Sequence, residues 1–419
     1  MNELMAFWAE WIRPSAGVPT VQWSLLLAVA SIAGYLVQRY TGLPKVLGYT
    51  VIGTFAGLAG FTGVQWPLQG IGLFLLELGV AVVLFEAGGR IPLRWFRHNP
   101  MVLLQSLLEA VLTYFGVLWV LMWLDIPGPV AAPIAIIAVA ASPAVLTRVV
   151  MDTRASGPVT ERAVTLATLS TLYALAIGAA RAGLMDRSEH GLVATMYPVA
   201  VVLGISVAVG GALALALRMA LRVMSPTSEN TSIVLLALIA ASAAVAATLG
   251  GSAPLAALLG GMLLKQLNPR PWSWPRQLGT ASSLLTMLMF VLVSVVAAQA
   301  DWSGPVASVV LAVIVVRGIA KIAGVALANP GSGASWRQAL WVGCAMSPMS
   351  SVALLITSQF VASSPMLGPM ITRIALPAIL LMEVLGAVIA TIALYRAGES
   401  SKPWEPQALP PLAGDTRES

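Results

Sequence analysis

Trp341–Thr357, WVGCAMSPMSSVALLIT, is an apolar stretch with Ser347, Pro348, Ser350 and Ser351 in its middle. Pro348 has no backbone N–H, and its ring collides with the preceding turn, so a helix here kinks or breaks. In hydrocarbon the freed backbone groups need partners, which confines such a break to the inside of the protein or the edge of a polar cavity. A second Ser-Pro pair, Ser142-Pro143, lies in AVAASPAVLTR, in the middle of another apolar stretch. Single prolines are ordinary in membrane helices. How these two are related decides whether they carry meaning.

The composition is that of a polytopic membrane protein: of 419 residues, 58% are hydrophobic and 10% charged, and the mean hydropathy is +0.88. The net charge of +6 is spread over short loops rather than clustered, which excludes a nucleic-acid surface and reads as a topology signal. The single cysteine, Cys344, allows no intrachain disulfide. Glu3 and Glu10 precede the first apolar run in place of a basic leader segment, so the first helix is expected to be retained.

Apolar runs mark thirteen spans, at about 21–39, 44–62, 68–88, 101–124, 130–150, 162–183, 192–217, 231–249, 252–268, 278–299, 304–328, 337–361 and 370–395. Trp23, Trp66, Trp123, Trp302 and Trp336 fall near span ends, as an interfacial belt requires. With the N-terminus outside, seventeen of the 23 Lys and Arg residues lie on the inner side. Arg13, Arg181, Arg187 and Arg373 lie outside, while Arg317 and Lys321 are within span eleven. That bias predicts N-out, C-in in a bacterial-type inner membrane. The proline-bearing tail, 396–419, is expected to be disordered and cytoplasmic.

Ser142-Pro143 interrupts span five and Ser347-Pro348 interrupts span twelve. Seven spans separate them, so two six-span units, about 21–183 and 231–395, have opposite orientation, and each break is in the fifth helix of its unit. Interrupted helices at matching positions of inverted halves point to a secondary-transporter site at the bilayer midplane. Opposed half-helix ends place partial charges of both signs there.

Several segments resemble the monovalent cation:proton antiporter family, in its sodium/hydrogen exchanger-like and Kef-type membrane domains. LPKVLGYTVIGTFAGLAG, from Leu43, is similar to the family's second helix, and LGVAVVLFEAGGRIPLRWFRHNP, from Leu78, to its third helix and following loop. AASPAVLTRVVMDT resembles the broken helix that often carries an aspartate before its proline. VVRGIAKIAG resembles the helix with a buried Arg or Lys, and WRQALWVGCAMSPMSSVALL the second broken helix. The resemblance implies a thirteen-helix antiporter fold over 1–395, a monovalent cation and a proton as substrates, a homodimer, and no cofactor. Aligning AVTLATLSTLYALAIG with the family's ion-site helix puts Leu172 and Tyr173 where an acidic pair is expected. Ser142 stands where many members have the aspartate. A tyrosine, titrating at about 10 when unperturbed, is a poor substitute for a carboxyl.

Few titratable groups remain within the spans. Arg317 is central in span eleven and costs about 2.5–3.5 kcal/mol to insert, so it needs compensation. It either caps negative half-helix ends, pairs with an acid, or contacts substrate. Lys321, one turn later, is expected to snorkel to the inner surface. Glu383, mid-way along span thirteen, either carries a proton or forms a static pair with Arg317. Glu77 is mid-span three, Glu86 near the cytoplasmic end of that span and Glu109 in the inner part of span four. One of them is expected to contribute to the ion path, with Glu77 second to Glu383 as proton carrier, although Glu86 and Glu109 also read as interface residues. The hydroxyls of Ser142, Ser347, Ser350, Ser351, Thr171 and Tyr173, with Pro143 and Pro348 shaping the breaks, either line a site or bond their own backbone. Gly53, Gly57 and Gly60 read as close-packing glycines. His98 and His190 are too few and too far apart for a metal site, and no nucleotide or hydrolase motif is present, so an enzyme is not expected.

The leading expectation is a secondary active transporter exchanging Na+ or K+ for H+ by alternating access. The alternatives are a carrier without proton coupling, taking another small solute such as an anion, and a non-transporting membrane regulator. Cysteine-accessibility labelling is expected to place the two termini on opposite sides; finding both on one side would overturn the count.

Overall fold

A computed structural model describes residues 18–61, 66, 68, 70–91, 93, 96, 99–185, 192–225, 228–268, 276–300 and 302–400. Arg13, Arg187, His98, His190 and the tail from 401 onward lie outside the described residues. Helices α1 (Val18–Thr41), α2 (Lys45–Leu58), α3 (Gly70–Gly89) and α4 (Pro100–Trp123) account for the first four spans. Span five is split into α5 (Gly128–Val139) and α6 (Pro143–Thr153). There follow α7 (Pro158–Ala182), α8 (Leu192–Val223), α9 (Glu229–Thr248), α10 (Ala253–Leu267), α11 (Arg276–Ala298) and α12 (Gly304–Leu327). Span twelve is split into α13 (Trp336–Ala345) and α14 (Ser351–Ser363), and α15 (Gly368–Arg396) closes the bundle. Among the described residues nine helical segments are long and apolar enough to cross a membrane, with four shorter apolar ones beside them. The protein is an all-α polytopic membrane protein.

The pairing of the helices carries the inverted repeat. The α2–α11 and α3–α10 packings exchange places when the first six spans are mapped on the last six, and α4–α12 maps on itself. The same mapping relates α4–α5 to α12–α13, and α4–α7 to α12–α15. Trp123, Trp302 and Trp336 lie exposed at helix ends, as belt residues do.

Each break has a local cause. Pro143 is the first residue of α6, where a missing N–H does no harm, and the Ser142 hydroxyl accepts the Val145 amide at 3.3 Å as a helix cap. In span twelve the chain leaves the helix after Ala345, and Ser350 is the residue from which α14 begins. The Ser142 amide donates to the Pro348 carbonyl at 2.9 Å, so the two breaks are joined backbone to backbone.

Glycines let the helices approach the crossing. A Cβ on Gly386 would lie 2.5 Å from the Pro348 Cα, and one on Gly324 2.3 Å from the Glu109 Cα. Gly53 and Gly57 pack against α11 as expected, with a Cβ at Gly57 reaching 2.5 Å from the Val295 carbonyl. Gly60 is a correction: it has open space around it and a φ of +78°, so it ends a helix through the left-handed conformation.

Of the tail expected to be disordered, residues 396–400 are described, and they pack on the start of span six. The Glu399 carboxylate accepts the Val159 and Thr160 amides and the Thr160 hydroxyl, each at 2.7 Å, and so caps α7. The end of span thirteen is thereby tied to the start of span six.

Gly386→Ala is expected to destabilise the protein by about 1–3 kcal/mol, because the methyl meets backbone that cannot move aside. Thermal unfolding in detergent measures it; an unchanged midpoint would show that the crossing has slack.

Candidate functional site

The crossing leaves peptide carbonyls without helical partners, since the last turn of a helix cannot satisfy its own acceptors. Arg317, fully buried on α12, fills that need. Its Nε donates to the Ala138 carbonyl at 2.8 Å and Nη1 to that of Ser347 at 2.6 Å. Nη2 donates to the carbonyls of Ala140 at 2.8 Å and Pro348 at 3.4 Å. One guanidinium thus binds both breaks. Its charge answers the negative ends of α5 and of the chain leaving α13. Of the three readings of Arg317, capping is the one this geometry matches; of the two readings of Glu383, the static pair with Arg317 is not among the described ion pairs.

Glu383, fully buried on α15, accepts instead from hydroxyls: Ser350 at 3.0 Å and Ser294 of α11 at 3.3 Å. Ser350 belongs to the break of span twelve, so this carboxyl touches the crossing. Gly386, one turn on, packs on Pro348 and holds α15 close.

Lys321 corrects the expectation of a snorkelling lysine. It is fully buried, pairs with Glu109 of α4, and donates to the Val139 carbonyl at 3.2 Å. Glu109, read from sequence as an interface residue, is equally buried. Its Oε1 also accepts from Thr113 at 3.2 Å, and its Oε2 accepts from the Ser170 hydroxyl of α7. The two basic residues of span eleven therefore have different tasks. Arg317 meets carbonyls of the breaks, and Lys321 meets an acid.

Of the other predicted residues, Ser142, Pro143, Ser347, Pro348, Ser350 and Ser351 come together at the crossing, all buried. The Thr171 hydroxyl bonds its own helix at Ala167 and reaches the Ala141 carbonyl of the first break. The Tyr173 hydroxyl shares a 2.8 Å hydrogen bond with Ser106 of α4. Glu86 sits apart, bonded to Arg90 at 2.7 Å and to Ser282 at 3.1 Å. With Ala144, Thr147, Arg148, Ser282 and Thr286 it lines a cavity of about 50 Å³ beside α6. Glu77 is half-buried on α3, and no described hydrogen bond joins it to the crossing.

Apart from Glu109, sequence reasoning missed the face of α4. Gln105, Ser106, Glu109 and Thr113 are all fully buried and lie on one side of the helix. The signal was present: four polar residues at helical spacing inside an apolar span face protein rather than lipid.

The protein-family model described as sodium/hydrogen exchanger, transmembrane, matches residues 27–395. A structure of the sodium proton antiporter MjNhaP1 from Methanocaldococcus jannaschii at pH 8 is similar at a TM-score of 0.66 and 16% identity, covering 90% of this chain and 98% of that one. An electron-microscopy structure of the same antiporter is similar at a TM-score of 0.59 and 18% identity, covering 96% of each chain. No curated protein sequence matches.

Removing one member of a buried ion pair strands the other, at a cost of about 3–5 kcal/mol. Lys321→Ala is therefore expected to destabilise by that amount, and Glu109→Gln with Lys321→Met together to recover most of the loss. Arg317→Ala, which instead leaves carbonyls of both breaks without a donor, is expected to destabilise by at least about 1–3 kcal/mol. Detergent melting of the three variants checks this. A mild Lys321→Ala variant would show that the pair does not hold the helices.

Proposed function

The chain belongs to the sodium/hydrogen exchanger family, and we propose that it is a secondary active transporter exchanging a monovalent cation, Na+ or K+, for H+ by alternating access. Family membership supports the cation and the proton as substrates. The observation that carries the reading for this chain is Glu383, a fully buried carboxyl hydrogen-bonded to Ser350 within the second break. It is a group that can hold a proton at the membrane centre and release it when the neighbouring helices shift. Its partners are hydroxyls, which serve the neutral and the ionised carboxyl alike: a serine accepts from the acid or donates to the carboxylate.

The breaks suit a moving site. Their backbone bonds to Arg317 and to each other keep two interrupted helices acting as one body. In this reading that body, with α3, α4, α11, α12 and α15, shifts against the remaining helices and opens the crossing to one side at a time. The cavity beside α6, with Glu86 at its rim, is the approach from one side. The seventeen-to-four distribution of basic residues supports placing that side in the cytoplasm, with the N-terminus outside, the C-terminus inside and the protein in a bacterial-type inner membrane. A homodimer fits the family.

The anion alternative depended on Arg317 facing a site short of acids. Its hydrogen bonds to four carbonyls count against that, and no observation favours a non-transporting regulator.

Glu383→Gln keeps size and hydrogen bonding while removing the titration. In vesicles containing the purified protein, it is expected to abolish cation-driven proton release while the melting profile stays close to wild type. Glu77→Gln is expected to leave exchange largely intact, since Glu77 is not joined to the crossing. Normal exchange by Glu383→Gln would rule out this carrier. A wild type that moves no protons with any alkali cation would rule out exchange.

A further inference from the structure

The exchange reading leaves one partner without a place. If Glu383 holds the proton, and span six has Leu172 and Tyr173 where an acidic pair is expected, no acid of that helix receives the cation. The buried face of α4 has the chemistry for it. Glu109 offers a carboxylate in which Oε1 is taken by Lys321 and Thr113, whereas Oε2 has Ser170. One turn away on the same face, Gln105 is fully buried, and its Nε2 donates to the Val325 carbonyl at 3.3 Å. That bond fixes the amide orientation, since a carbonyl accepts only from the nitrogen. The Gln105 Oε1 is then a buried acceptor with no hydrogen-bond partner among the described residues. A buried acceptor left unpaired is costly, and this one lies a single helical turn from a carboxylate.

We infer that Glu109, Gln105 and Ser170 form the binding site for a small alkali cation, so that the acid missing from span six is supplied by span four. Carboxylate, amide and hydroxyl oxygens are the ligands such a cation takes in place of its water shell. Gly324 brings α12 into backbone contact with Glu109, so the site is enclosed by α4, α7 and α12. Lys321 stays on Oε1 and keeps the carboxylate oriented. A cation entering here adds a positive charge near Arg317 and Lys321. That charge is balanced when Glu383 gives up its proton and becomes a carboxylate, which is exchange. The inference rests on the exchange reading for its coupling; the site itself rests on the unpartnered Gln105 Oε1 and on the buried Glu109 carboxylate one turn away on α4.

The test measures two quantities on wild type, Gln105→Leu, Ser170→Ala and the doubly substituted Glu109→Gln, Lys321→Met, which leaves no buried charge stranded. One is the KM for Na+, K+ and Li+ in vesicle exchange. The other is the shift in detergent melting temperature on adding each chloride salt, with choline chloride as control. Gln105→Leu and Ser170→Ala are expected to raise the KM about tenfold, the effect of one lost polar contact, with kcat little changed. The double variant is expected to melt normally and lose the cation-dependent shift, and Glu383→Gln to keep it. If the wild type exchanges and all α4 and α7 variants keep its KM and its shift, the site is wrong and the exchange reading stands. If the wild type moves no protons yet shows a cation shift that Gln105→Leu removes, the site stands and the exchange reading fails. No cation shift in the wild type together with no exchange overturns both.

Discussion

Everything at the centre of this protein depends on how it satisfies the carbonyls that two interrupted helices leave bare. Hydrocarbon offers no donors, so an interruption is tolerated only where protein supplies them. Arg317 supplies them to both breaks at once, through Nε and both terminal nitrogens. The arginine in turn is tolerated in the membrane because those carbonyls, at half-helix ends, provide the negative potential that its burial requires. Break and cation stabilise each other. The backbone bond from Ser142 to Pro348, and the glycine contact of Gly386 on Pro348, complete the junction.

Around that junction the charges are separated by function. Lys321 and Glu109 neutralise one another on the α4 side, while Glu383 sits among hydroxyls on the α11 and α15 side. In a family member that has Leu172 and Tyr173 where an acidic pair is expected, these two carboxyls are the acids left beside the breaks. Seven spans, four, five, six, ten, eleven, twelve and thirteen, bring a side chain to the breaks or to the charges beside them, so the fold can carry its acids on more than one helix. The outer parts of the bundle do ordinary work: close helix packing through Gly53 and Gly57, and a Glu399 clasp that ties the end of α15 to the start of α7.

Much of this was legible in the residues. Hydropathy gave the spans, because a membrane helix must be apolar over its length whatever it packs against. Pro143 and Pro348 gave the breaks, since a ring without an N–H acts locally. The inverted repeat followed from counting spans between them, and the helix pairings agree with it. Arg317 was marked by the cost of its burial alone. The errors have one origin. Lys321 lies on the inner side of the centre of span eleven and Glu109 in the inner part of span four, so a route to the inner surface suited both, and Arg317 and Glu383 have complementary charge and similar depth. Which charge meets which depends on the rotation of each helix about its axis.

The sequence by itself therefore determined the quantities set by each segment alone: what spans, where helices break, which class of membrane protein this is, and that a central arginine needs acceptors. Only the tertiary structure decided the partners. It put Arg317 on carbonyls, Lys321 on Glu109 and Glu383 on two serines, and it turned a polar face of α4 toward the centre. The physical reason is that hydrocarbon burial is nearly indifferent to which apolar face a helix shows its neighbours, so packing of small residues and the pairing of a few polar groups fix the rotations, and both are properties of the whole bundle.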